Sequence, residues 1–104
     1  MRSAKLAVVV GIAFGASAMA PEGAGNPKAG YNYAKKVCAG CHGISLEASP
    51  LAEATPFREV ANRPSITGTA LAVWLETSHP TMPNIVIEQD DKLNVIAYIL
   101  SLKD

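Results

Sequence analysis

Five consecutive residues, Cys38-Ala39-Gly40-Cys41-His42, hold both cysteines of the chain and one of its two histidines. Two thiols at this spacing, at the end of a helix, can add to the two vinyl groups of one haem, and an imidazole on the next residue falls where it can bind the iron from the same side. Two other chemistries use the same residue types. A redox disulfide wants a strand before the motif and alternating strands and helices around it, and the sequence patterns give neither. Half of a structural zinc site wants a second pair of ligands, and beyond the motif only His79 remains. Covalent attachment of one haem c through Cys38 and Cys41, with His42 as an axial iron ligand, is the reading these residues support.

The opposite side of such an iron needs a sixth ligand or stays open. The candidates are Met82, His79, a lysine or water. Pro80 and Pro83 flank Met82 and restrict the backbone that carries it, so a thioether could be held there at low entropic cost. Core methionines usually sit on apolar helix faces, whereas this one lies among Pro, Thr and Asn. Met82 is the expected second axial ligand, and His79 reads as a solvated histidine beside a proline.

The elements that must position these residues follow from the rest of the chain. Arg2 and Lys5, the apolar run Leu6 to Phe14 and the small residues Ala18-Met19-Ala20 read as a secretory signal peptide over 1–20. The run is shorter than the roughly 20 residues a membrane span wants, so cleavage and export to the periplasm are expected, with no span left afterwards. Residues 21–25 form a flexible lead-in and 26–104 one domain. Nine Lys plus Arg against nine Asp plus Glu, in 104 residues with no block of like charge, leave room for neither a doubly wound enzyme nor a nucleic-acid surface. With one Trp, three Tyr and two Phe in all, a protein-only core would be thin, and so small a domain commonly adds a metal or cofactor.

Asn26 and Pro27 predict the start of a helix running to about Val37, with Gly30, Tyr33, Ala34 and Val37 on one face. Residues 43–68 are rich in Pro, Ser and Thr and read as loop with one helical turn over Phe57 to Ala61. A loop that long in a small domain is expected to wrap something. A helix from Thr69 to about Glu76 turns Leu71, Trp74 and Leu75 inward, and a last helix covers about Gln89 to Leu102, opened by Glu88, Asp90 and Asp91. Its two apolar stripes, Leu93, Ile96, Ala97, Leu100 and Val95, Ile99, Leu102, predict burial on two sides.

Taken together, the Cys-Ala-Gly-Cys-His motif, the Thr81-Met82-Pro83 loop and the closing Asn94-Val95-Ile96-Ala97-Tyr98-Ile99-Leu100 resemble the class I c-type cytochromes over about Asn26 to Lys103. The resemblance implies an all-α cytochrome c fold, three to four helices wrapped around one covalently bound haem, in which terminal helices cross steeply. It implies that a glycine eight residues before the first cysteine, Gly30, meets an aromatic residue of the last helix, Tyr98. Ala34 departs from the family, many of whose members carry an aromatic residue there, so Tyr31 or Tyr33 is expected to supply that packing. It also implies that a proline carbonyl orients the iron-ligating histidine, a role open to Pro50 and Pro56.

The function follows from the ligands. A thioether suits Fe(II) better than Fe(III), and an apolar shell disfavours the extra charge of the oxidised centre, so His/Met ligation raises the reduction potential. With both axial sites filled, the iron exchanges electrons and is no enzyme centre. Arg58, Arg63 and the Trp74 indole are candidate donors to the haem propionates. The expected activity is electron shuttling between redox partner proteins by a monomer, with Lys28, Lys35 and Lys36 placed to steer an acidic partner. The alternatives are a dedicated haem subunit of a periplasmic dehydrogenase or oxidase and, without Met82 on the iron, a five-coordinate haem sensor or enzyme.

Overall fold

The computed structural model describes Gly11, residues 24–77 and residues 82–104. The expected leader, Gly11 apart, and His79 with its neighbours Pro80 and Thr81 lie outside the described residues.

Four helices follow one another, α1 (Pro27–Val37), α2 (Phe57–Ala61), α3 (Gly68–Glu76) and α4 (Gln89–Ser101). No strand occurs among the described residues, the Ile85-Val86-Ile87 run included. Helix α1 starts where its cap dictates. The Asn26 side chain accepts from the amides of Lys28 and Ala29 at 2.9 and 3.2 Å, and Pro27 follows at the position that has no amide to satisfy. Lys35 and Lys36 fill its last turn, where their charge suits the negative end of the helix dipole. Helix α3 begins one residue earlier than its apolar pattern predicts, because the Thr67 hydroxyl caps it by accepting from the Ala70 amide at 3.0 Å. Helix α4 carries Asp90 and Asp91 in its first turn and ends with Leu102 as its cap.

The fold is organised by α1 against α4. Gly30 is buried at their contact, and a Cβ built there would lie 1.9 Å from the Asn94 carbonyl oxygen and 2.8 Å from Cβ of Tyr98. Only glycine permits that approach. The Asn26 amide donates to the Asn94 side chain at 2.8 Å across the same contact. Around it the core comprises Ala34, Ile44, Phe57, Ala61, Leu71, Val95, Ile96, Tyr98 and Ile99. Tyr31 packs edge-on against Tyr98, ring centroids 5.4 Å apart, and so takes the place beside Ala34 that an aromatic residue fills elsewhere. The Tyr98 hydroxyl donates to the Ile44 carbonyl at 2.5 Å, which ties α4 to the loop after the cysteine motif.

Two expectations about faces change. Leu71 is the buried residue of α3, whereas Trp74 is 56% exposed. The wider inner face of α4 includes Lys92, whose side chain is 11% exposed. An ion pair with Glu76 at the end of α3 accounts for that burial.

Candidate functional site

The cysteine motif continues α1 by one tight turn. The Cys38 amide donates to the Ala34 carbonyl at 2.8 Å, and the Cys41 and His42 amides both donate to the Cys38 carbonyl, at 3.2 and 2.9 Å. The turn brings residues 38, 41 and 42 round in succession off the end of a rigid helix. Cys38 is half-buried, Cys41 exposed, and both thiols are free. Burial pushes the Cys38 thiol up to about 11, so it is protonated at neutral pH.

His42 is fixed by its surroundings. Its Nδ1 lies 2.7 Å from the carbonyl oxygen of Thr55. A carbonyl can only accept, so Nδ1 carries the proton and Nε2 keeps the free lone pair. Its ring tilts against Phe57, centroids 5.3 Å apart, and the Phe57 amide donates to the Gly43 carbonyl at 2.8 Å. Residues 42–43 and 55–57 thus run side by side and hold the imidazole from two directions. The orienting carbonyl belongs to neither Pro50 nor Pro56, which corrects that expectation. The Pro56 carbonyl already accepts the Val60 amide at 3.1 Å as the cap of α2, and Pro50 is exposed in the loop. Thr55 supplies the acceptor because the residue before a proline is biased to extended backbone.

Arg58 is engaged with the end of the chain. Its guanidinium pairs with Asp104 at 3.0 Å, while Asn62 accepts from the Asp104 amide at 2.9 Å, so this face of α2 ties down the chain after α4. Arg63 donates to the Thr55 hydroxyl at 3.4 Å, beside the residue that orients His42. Met82 is half-buried and lines a concavity of about 360 Å³ with Leu75, Glu76, Thr77, Pro83 and Ile85. Lys28, Lys35 and Lys36 are exposed, and Lys35 Nζ lies 5.8 Å from the Tyr31 ring centroid. Among the described residues no three His, Cys, Asp or Glu side chains gather as a metal cluster.

The loop after His42 is closed by side chains. Gly43 donates to the Ser49 hydroxyl at 2.9 Å, and the Glu47 carboxylate accepts the Ile44 amide at 3.0 Å. Hydrogen bonds from its own amide and from Ile44 hold the Glu47 carboxyl below its ordinary value. A depressed carboxyl contributes stability that is present above the unfolded value of about 4.3 and lost as pH falls through the lower folded one. Amide exchange at Ile44 is therefore expected to speed up, beyond the intrinsic effect of pH, on acidification below about pH 4. In Glu47→Gln that extra acid dependence disappears.

A chain that locks its first helix to its last at a glycine, and ends the first in two thiols and a fixed imidazole, is built as small class I c-type cytochromes are. Over 99 residues, 94% of this chain and 92% of the relative, the sequence is 31% identical to cytochrome c-552 of Bradyrhizobium diazoefficiens (strain JCM 10833 / BCRC 13528 / IAM 13628 / NBRC 14792 / USDA 110). The chain belongs to the class I c-type cytochromes. Membership makes it an electron-transfer protein that works with redox partners, and implies a haem c. No protein-family model matches the chain, and no solved structure matches it significantly.

The residues present fit that group. The donor set combines two free thiols with an imidazole whose Nδ1 is committed to Thr55, leaving Nε2 for a metal. The side chains alone make a thin core, in which Val95 is the largest fully buried one among the described residues. Trp74, Val73, Leu46 and Val86 present apolar surface outside it. No helix among the described residues is long and apolar enough to cross a membrane.

Proposed function

We propose that this chain is an exported, monohaem electron carrier that works in the periplasm after removal of residues 1–20. Cys38 and Cys41 hold the ring through thioethers, and His42 and Met82 are the axial ligands. When bound, the haem supplies a one-electron Fe(III)/Fe(II) couple. The observation that carries the reading is the 2.7 Å contact from His42 Nδ1 to the Thr55 carbonyl, on the residue directly after the second of two free thiols. It fixes the tautomer, orients the ring and makes Nε2 a better donor.

Met82 supports the same reading from the other end of the chain. Met82 is half-buried in a partly apolar concavity, beside Pro83, which restricts the backbone. A weak sulfur donor in an apolar setting favours the reduced state, and a filled sixth position leaves no place for a substrate. Trp74 presents exposed apolar surface on α3, and Lys35 and Lys36 in the last turn of α1, with Lys28 in its first, give that helix a positive surface that suits an acidic partner.

Met82→Ala tests the reading. The potential should fall by at least about 0.1 V, a modest part of the roughly 0.8 V over which axial ligands set haem potentials. The reduced variant should also bind carbon monoxide. An unchanged potential and no carbon monoxide adduct would remove Met82 from the iron.

A further inference from the structure

Glu76 is the last residue of α3 and Lys92 stands in the first turn of α4, so each charge opposes the dipole of its own helix. Each suits the end of the other helix. The Lys92 side chain is 11% exposed and donates to Glu76, which is 63% exposed. A nearly buried ammonium is stable only with a partner of this kind. The two residues also bracket the segment that carries Met82: the chain leaves α3 at Glu76 and rejoins α4 just before Lys92. Glu76 itself forms part of the wall that Met82 lines.

We propose that the Glu76–Lys92 ion pair is the positioning element that keeps the Met82 sulfur in place, by fixing both ends of the segment from which it projects. The inference rests on Met82 being the axial ligand. Glu76 and Lys92 touch no iron. They act by limiting how far the two ends of the Met82 segment can separate, which raises the barrier to losing the sulfur.

The test uses the haem-loaded, oxidised protein and imidazole as the probe. At high imidazole the rate of adduct formation reaches a limit set by loss of the sulfur. Glu76→Gln and Lys92→Met should each raise that limiting rate about tenfold, equivalent to about 1.4 kcal/mol. Lys92→Met keeps the buried apolar stem and removes the charge, so it separates pairing from packing. The exchange Glu76→Lys with Lys92→Glu should return the limiting rate to within about twofold of the parent. Single variants whose limiting rates stay within about twofold of the parent, with only their thermal midpoints lowered, would overturn the proposal, because the pair would then be merely structural. A doubly exchanged protein as fast as the singles would overturn it too. Failure of the underlying ligand assignment looks different. The unsubstituted protein would itself lack the sulfur-to-iron band and would bind imidazole without reaching a limiting rate.

Discussion

Replacing Cys38 and Cys41 together with alanine is expected to abolish haem retention and cooperative folding at once. The polypeptide supplies few large buried side chains of its own. Ala34 and Ala61 are wholly enclosed, and apolar residues as large as Trp74 remain outside the core. Domains of this size are marginal without an added group, because the surface they bury barely offsets the entropy of ordering the chain. The cysteine turn also sits at the junction of α1 with the loop that carries His42, so losing the proposed covalent tether should loosen that loop and the fold together. Circular dichroism of the double variant, expressed with a working maturation system, should show little helix and no sharp thermal transition. A colourless variant that melts cooperatively would show that the side chains alone suffice.

The second large effect is expected at Gly30. Intrinsic helix propensity favours alanine over glycine by about 1 kcal/mol, so Gly30→Ala should stabilise an isolated α1. In the folded protein the sign reverses. The added carbon would lie 1.9 Å from the Asn94 carbonyl and 2.5 Å from its carbon, both backbone atoms of a helix that cannot yield locally. α1 and α4 would have to part, disturbing the Asn26–Asn94 hydrogen bond and the Tyr31–Tyr98 ring contact with them. A loss of at least about 3 kcal/mol follows, at the upper end of what overpacking costs. That corresponds to a fall of more than about 10 °C in the thermal midpoint of a domain this small. A raised midpoint would mean that the helices do not meet at Gly30.

Whatever depends on neighbours in sequence was legible from the residues. Asn26-Pro27 starts α1 because a capping side chain and an imino acid satisfy the first turn locally, and Phe57 to Ala61 forms one turn between breakers. The crossing at Gly30 was legible only through the resemblance, since the helix that meets it lies more than sixty residues further along the chain. The Thr55 carbonyl was not legible as the partner of His42. It depends on the loop of residues 43–54 folding back so that 55–57 lies beside 42–43, and on Pro56 spending its own carbonyl on α2. The Arg58–Asp104 pair was not legible for a similar reason, as Asp104 is distant in sequence and meets Arg58 only once α4 has docked. The periodicity of α3 turned Trp74 inward with Leu71 and Leu75, but the helix buries only Leu71 fully. Lys92 is the opposite case, a charge that a hydrophobic pattern places outside and that Glu76 allows inside.

On the function proposed above, one imidazole and one sulfur grip the iron from opposite sides, so that an electron is all it can exchange. The most direct test is to reduce the unsubstituted protein and record its absorption spectrum before and after saturation with carbon monoxide. No change is expected with His42 and Met82 on both axial positions, as proposed. Prompt formation of a carbon monoxide adduct would contradict it and point to an open iron site.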